Sequence, residues 1–364
     1  MYPNFRNETR ITEAQESRSI SSNSKNLLNS YYQKAKDNSA DFENQLPVHA
    51  YVETVPVCNL ACPSCPQGHP EDREDYLESL NGIKTMGMED FKDWTKQLVD
   101  NGIKSISIYN TNEPLLDPLL FERLDYLRIF ELNDIIFMSN ATLLNSINTN
   151  KLLESPISKV CFSIDAATNA TYNKVRPLKS KTDSSYKSER LDKVYENISE
   201  FSKKARKIRP DILIRVSFVV GKDNYHEIKL FLERFKEIVD VIDFQYNHVA
   251  DFNRNSAIST QFKKVSVESC SAPSSTIFLR PNGDLYPCCT VYSYIQQKDL
   301  GDNLLIGNLS NLTYAQVLNL DRRKVLLRQL EDEQPSQRCD SCMNNHYCHE
   351  DYFETENRFF EPAL

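Results

Sequence analysis

A chain of 364 residues, 40% hydrophobic and 26% charged, is long enough to bury a full-sized core and suits one large domain beside a smaller one. A formal net charge of -8 argues against broad binding to a phosphate backbone, so no nucleic-acid partner is expected. Only eight glycines occur, with neither G-x-G-x-x-G nor G-x-x-x-x-G-K, which argues against dinucleotide- and ATP-cradling loops.

Residues 1–48 are polar, rich in Ser and Asn, and weakly periodic, and are expected to form an N-terminal extension with at most a short helix near "LLNSYYQKAK". They lack the apolar core of a secretory signal, and no apolar run approaches 18 residues; a cytoplasmic protein without a membrane span is expected. In a reducing compartment, ten clustered cysteines are expected as metal ligands rather than disulfides.

From residue 49 to 262, short β-rich runs alternate with helical patterns. "YVETVPV" (51–57), "KSISIYN" (104–110), "DIIFMSN" (134–140), "KVCFSID" (159–165), "ILIRVSFVV" (212–220) and "VIDFQYNHV" (241–249) read as six strands. Phe91, Trp94 and Leu98 share one helical face, as do Leu191, Val194, Ile198 and Phe201, and Ile228, Phe231, Phe235 and Val239. The alternation implies an α/β fold with a parallel sheet, either open and doubly wound or a partial barrel. In both, ligands lie at the carboxyl ends of the strands. Polar residues collect there: a cysteine triplet after the first strand, "NTNEP" (110–114) after the second, "SNAT" (139–142) after the third, "SID" (163–165) after the fourth and "NHVAD" (247–251) after the sixth.

Past residue 262 the rhythm stops, and residues 263–364 read as a second, cysteine-rich module carrying Cys270, Cys288, Cys289, Cys339, Cys342 and Cys348. "PNGD" marks a hairpin turn, a helix is expected across "TYAQVLNLDRRKVLLRQLEDE", and the module needs cysteine ligands as its staple.

Cys58, Cys62 and Cys65 stand in C-x3-C-x2-C spacing. With His69 they could close a tetrahedral zinc site. Alternatively, three thiolates on a four-iron cluster leave one iron open for a ligand. The triplet in its "CNLACPSCP" context resembles the signature of the radical S-adenosylmethionine superfamily. That resemblance implies a partial (β/α)6 TIM-type barrel and a 4Fe-4S cluster whose open iron chelates S-adenosylmethionine. It implies reductive cleavage to a 5'-deoxyadenosyl radical that takes hydrogen from a substrate carbon, with electrons from a flavodoxin- or ferredoxin-type protein. "YNTNEP" stands where the family carries Gly-Gly-Glu, so Glu113 is implied as acceptor of the methionine ammonium, with Asn112 in place of a glycine. Ser163 and Arg176 are implied for the methionine carboxylate, and Ser217 for the ribose.

Cys270, Cys288 and the Cys339-x2-Cys342 pair, with the "IGN" turn at 306–308, resemble the auxiliary-cluster modules called SPASM and twitch. Cysteine is absent at Tyr352 and at the final residue, Leu364, so one auxiliary 4Fe-4S cluster is implied, held by Cys270, Cys288, Cys339 and Cys342, with Cys289 and Cys348 spare. Cys161 is expected as a buried core cysteine. One fully ligated auxiliary cluster resembles the arrangement in sugar and aminocyclitol dehydrogenases of the superfamily, which favours a small-molecule substrate that is oxidised or epimerised. His248, Asp251, Arg176 and Tyr172 are candidate substrate contacts. The alternatives are radical modification of a ribosomal peptide, and a zinc-stapled binding protein without chemistry.

Overall fold

The computed structural model describes residues 7–9, 46–179, 190–245, 247–248, 262–265, 270–289, 304–344 and 346–349. Six strands pair in parallel: β1 (His49–Val52), β2 (Ser105–Ser107), β3 (Asp134–Ser139), β4 (Lys159–Ser163), β5 (Leu213–Val219) and β6 (Val241–Gln245). Their order in the sheet is their order in the chain. A doubly wound sheet reverses direction at a switch point, whereas a barrel never does, so the sequential order selects the partial barrel.

Alternation along each strand divides the fold into two faces. Ala50, Val52, Ile106, Phe137, Val160, Phe162, Ile214, Val216, Phe218, Ile242 and Phe244 pack into one large core against the helices. Helix α1 is Pro70–Glu78; α2 (Met88–Asp100), α3 (Leu120–Tyr126), α4 (Ser146–Glu154), α5 (Asn169–Val175), α6 (Arg190–Ile208) and α7 (Ile228–Phe235) follow. The three amphipathic faces expected from periodicity are buried on α2, α6 and α7, and Val239 is buried just past the end of α7. Each fully buried Leu, Ile or Phe contributes roughly 1.5–3 kcal/mol, so these helices are held chiefly by the sheet.

The barrel does not close on itself. On the β6 side, the short strand Asn7–Thr9 pairs antiparallel with β6. On the β1 side, β7 (Thr276–Leu279) pairs in parallel with β1, Thr276 opposite His49 and Leu279 opposite Val52. Strand β8 (Asp284–Tyr286) turns back at Gly283, whose φ of 86° suits glycine, and β9 (Gly307–Asn308) pairs with β8. The hairpin signalled by "PNGD" is therefore present, and it extends the barrel's own sheet.

The helix expected over 313–333 is two helices, α8 (Tyr314–Leu318) and α9 (Asp321–Glu331). Thr313 and Gln316 form a capping box that starts α8, and Leu320 is extended (φ -66°, ψ 136°), which starts a new helix rather than continuing the old one. Helix α10 (Gln337–Met343) carries the last cysteine pair. The sixth strand ends at Gln245; Asn247–His248 instead pairs with His346–His349, which also pairs with Phe262–Val265. His248 thus lies on a small separate sheet, and Asp251 lies outside the described residues. Among the described residues, no helix is long and apolar enough to cross a membrane.

Candidate active site and cluster-binding cysteines

The loop from Cys58 to Cys65 leaves β1 at its carboxyl end and is fixed from three directions. Ala61 N donates to Pro177 O (2.7 Å), Lys179 N donates to Asn59 O (3.1 Å), and Leu60 bridges Leu178. From the end of β3, Asn140 Nδ2 donates to Asn59 Oδ1 (2.9 Å) and lies 3.8 Å from Cys58 Sγ, while Asn59 Nδ2 donates to Thr142 Oγ1 (2.8 Å). Gly68 packs directly against the loop: a β-carbon there would collide with the backbone carbonyl of Cys62.

The three thiols are half-buried. Burial pushes all of them up, Cys62 to about 11 and Cys65 to about 12. Cys58 also raises Cys62, and Cys62 and Cys58 raise Cys65, so the sulfurs are electrostatic neighbours. Neighbouring half-buried thiols resist becoming thiolates together; a cationic metal centre removes that penalty. Among the described residues, no three His, Cys, Asp or Glu side chains close around a single ion. His69, the fourth ligand of the zinc alternative, uses Nε2 on Pro63 O (2.8 Å). A four-iron cube spreads its thiolates over separate irons, more widely than ligands of one ion, so the triplet fits a cluster better than zinc.

Glu113 is buried beside this loop. Its backbone N donates to Val57 O (2.9 Å), next to Cys58. Oε1 accepts from Ser139 Oγ (2.9 Å) and Leu115 N (3.1 Å), and Oε2 accepts from Asn140 N (2.8 Å). A carboxylate accepts about four hydrogen bonds, so among the described residues one place stays open. Burial nonetheless raises its pKa above the ordinary carboxylate range. Asn112 is not among the residues with positive φ. Its Oδ1 caps the turn by accepting from Asn110 N (2.9 Å), and the Nδ2 groups of both asparagines are buried without partners among the described residues. Those two amides are donors awaiting acceptors, which fits a bound ligand carrying a carboxylate or hydroxyls.

Arg176 stands across the loop. Its Nε donates to Asp165 Oδ2 (2.9 Å), and Nη2 reaches both Asp165 and Ser163 Oγ. The Asp165 backbone is left-handed (φ 59°), held by Val219 N donating to Oδ1 (2.7 Å). Asp165, Asn140 and Lys179 are site residues that sequence reasoning did not single out, although "SID" and "SNAT" bracket two of them. Ser217 is buried in register with Ser163. Tyr172 packs into the helix-side core beneath Arg190.

The second set of cysteines converges from separate elements. Cys270, Cys288, Cys289, Cys339 and Cys342 all border one cluster formed by Tyr51, Tyr109, Phe278, Tyr286, Leu304, Leu326 and Leu330, with Ile136 and Met138. Cys339 and Cys342 are three residues apart, on one face of α10, which Ser336 caps. Cys289, expected as spare, belongs to this group; Cys348 lies on the strand His346–His349. None of the nine cysteines with described side chains forms a disulfide.

Residues 270–343 match the model of the SPASM family, an iron-sulfur cluster-binding domain. The barrel fold is shared with BtrN, solved in complex with AdoMet and 2-DOIA (TM-score 0.50, 15% identity, covering 83% of this chain and 93% of that one). It is also shared with Streptococcus suis SuiB bound to S-adenosylmethionine (TM-score 0.56, 15% identity, covering 92% and 80%). Residues 270–343 are thus similar to an iron-sulfur cluster-binding module, and the barrel shares its fold with two structures solved with S-adenosylmethionine bound. The antilisterial bacteriocin subtilosin biosynthesis protein AlbA of Bacillus subtilis (strain 168) is 26% identical over 219 residues, 59% of this chain and 42% of AlbA. The chain thus spans less than half the length of that curated relative.

Proposed function

We propose that this chain is a radical S-adenosylmethionine oxidoreductase with two 4Fe-4S clusters, which takes hydrogen from a hydroxyl- or amino-bearing carbon of a small polar molecule, oxidising or epimerising it. One observation carries this reading. The second set of cysteines shares one apolar cluster with Tyr51, Tyr109, Ile136 and Met138, inward residues of β1 and β3 and of the turn after β2, which favours an auxiliary cluster on the same side as a substrate inside the barrel. When bound, S-adenosylmethionine and its cluster supply hydrogen abstraction from an unactivated carbon, and the auxiliary cluster supplies a one-electron acceptor.

The chain's own residues then have assigned work. Cys58, Cys62 and Cys65 hold the first cluster, and Cys270, Cys288, Cys339 and Cys342 the second, with Cys289 an alternate ligand. Glu113 accepts from the methionine ammonium at its open lone pair, and the Asn112 amide donates to the same ligand. Arg176, kept in place by Asp165, and Ser163 face the methionine carboxylate; Ser217 faces the ribose. His248 and Asp251 are substrate contacts. The reducing electron comes from a flavodoxin- or ferredoxin-type partner.

The test is anaerobic reconstitution with iron and sulfide, reduction, and a panel of amino sugars and cyclitols. Expected is 5'-deoxyadenosine formation that rises with one panel member and vanishes in Cys58→Ala. Reaction in deuterated water separates the outcomes, since epimerisation places solvent deuterium on carbon and oxidation to a ketone does not. A peptide substrate is the second reading, favoured by AlbA and by SuiB having been solved bound to the precursor peptide SuiA. Turnover of a peptide with no response to any small molecule would replace the first reading by the second.

A further inference from the structure

We infer that the inner wall of β5 and β6 carries a substrate-recognition site in which Asp243 accepts a hydrogen bond from an ammonium or hydroxyl group of the substrate. This rests on the function proposed above. Ile242 and Phe244 pack toward the helices, so Val241, Asp243 and Gln245 between and beside them face the barrel interior. Ile214, Val216 and Phe218 do the same on β5, which turns Arg215 and Ser217 inward.

Asp243 is completely buried. Its Oδ2 accepts from Gln245 Nε2 (2.7 Å) and lies 3.5 Å from Arg215 Nη1. Among the described residues its Oδ1 has no partner. A buried carboxylate oxygen left unpaired costs about 1–3 kcal/mol or more, and such sites in folded proteins ordinarily hold a donor. Arg215 is itself anchored along the neighbouring strand, Nε donating to Cys161 Sγ (3.2 Å), with Cys161 opposite Arg215 and Ser217 opposite Asp243 in register. Cys161, expected as a core cysteine, is buried but belongs to this polar wall rather than to the helix-side core. Across the interior stand Tyr51, Tyr109 and Phe278. The interior is therefore two-sided, a hydrogen-bonding wall of Asp243, Arg215, Ser217 and Gln245 facing an aromatic one. A ring that carries amino or hydroxyl groups on its edge and apolar faces matches both.

The test uses reconstituted holoprotein with S-adenosylmethionine present, and two probes: 2-deoxystreptamine for the ammonium and myo-inositol for the hydroxyl. Binding is read by isothermal titration calorimetry. At least one probe is expected to bind the native protein and to bind Asp243→Asn at least tenfold more weakly, a change of about 1.4 kcal/mol. The ammonium probe is the more sensitive, because its hydrogen bond is assisted by charge on both sides. Gln245→Met keeps the carboxylate and removes its orienting amide, and weakens the same probe about threefold. Iron content and S-adenosylmethionine affinity unchanged in both variants exclude misfolding. Equal probe binding by native protein and both variants, or no binding of either probe by native protein, overturns the inference. If the native holoprotein instead fails to form 5'-deoxyadenosine on reduction, the proposed function falls while the binding comparison still judges the wall.

Discussion

Glu53, just past β1, is fully buried, with Tyr76 Oη and Thr111 Oγ1 donating to its two oxygens. Burial raises its pKa from 4.5 to about 7, and Arg280 and Thr111 only partly offset that. In the unfolded chain the group is ionised above about 4.5, so between 4.5 and 7 the folded state binds more protons and stability falls as pH rises. The loss continues as pH rises through 7 and levels off above it. From pH 6 to 8 the native protein is expected to lose about 1 kcal/mol that Glu53→Gln does not lose, measured by anaerobic thermal unfolding at both pH values. A parallel loss in the two proteins would assign the slope elsewhere. Glu113 calls for a different variant, since its open lone pair is proposed for the methionine ammonium. Glu113→Gln keeps the shape, turns an acceptor into a donor and is expected to weaken S-adenosylmethionine binding about tenfold, read by equilibrium dialysis.

At the scale of elements, the cysteine loop depends on one short turn. The 3-10 turn Pro66–Gly68 returns the chain beneath Cys62, and nothing larger than hydrogen fits at Gly68. Gly68→Ala must push the loop outward, so the variant is expected to lose the first cluster while keeping the second, about four irons per chain instead of about eight. The sequence makes the six strands and the amphipathic faces of α2, α6 and α7 legible, because periods of 2 and 3.6 survive in local residue order. The cysteines and Glu113 are legible as unusual residue types at strand ends. Asn140 and Asp165 are legible only as members of polar strand-end segments, and Gly68 and Lys179 not at all, because what these residues do depends on contact across the fold: Asn140 meets Asn59 from 81 residues away. The break between α8 and α9 is hidden for a related reason. Leucines at 318, 320 and 326 continue an apolar pattern through Leu320, and only its extended backbone shows that the chain turns there.

On the scale of the whole molecule, the SPASM hairpin and the barrel share a sheet. Val48 N donates to Ser275 O and Glu53 N to Leu279 O, both at 2.9 Å, so β7 covers the edge that β1 would otherwise expose. Ile277 and Leu279 complete the helix-side core beside Ala50 and Val52, while Phe278 joins Tyr51 and Tyr109 inside. Arg280, fully buried, reaches back from the hairpin to Ser79 Oγ (2.8 Å) and lies over the Tyr76 ring at 4.4 Å. A fragment ending at residue 262 would bare a parallel strand edge, open the core and leave Glu53 without the buried cation that opposes its neutralisation. That fragment is expected to aggregate and to bind no first cluster. Cys339→Ala/Cys342→Ala in the full chain tests the alternative, that the second cluster rather than the hairpin supports the barrel. The double variant is expected to stay monodisperse on gel filtration and to retain about four irons, because the hairpin pairing needs no metal. Loss of all iron from the double variant would mean that the auxiliary cluster, and not the shared sheet, holds the first site together.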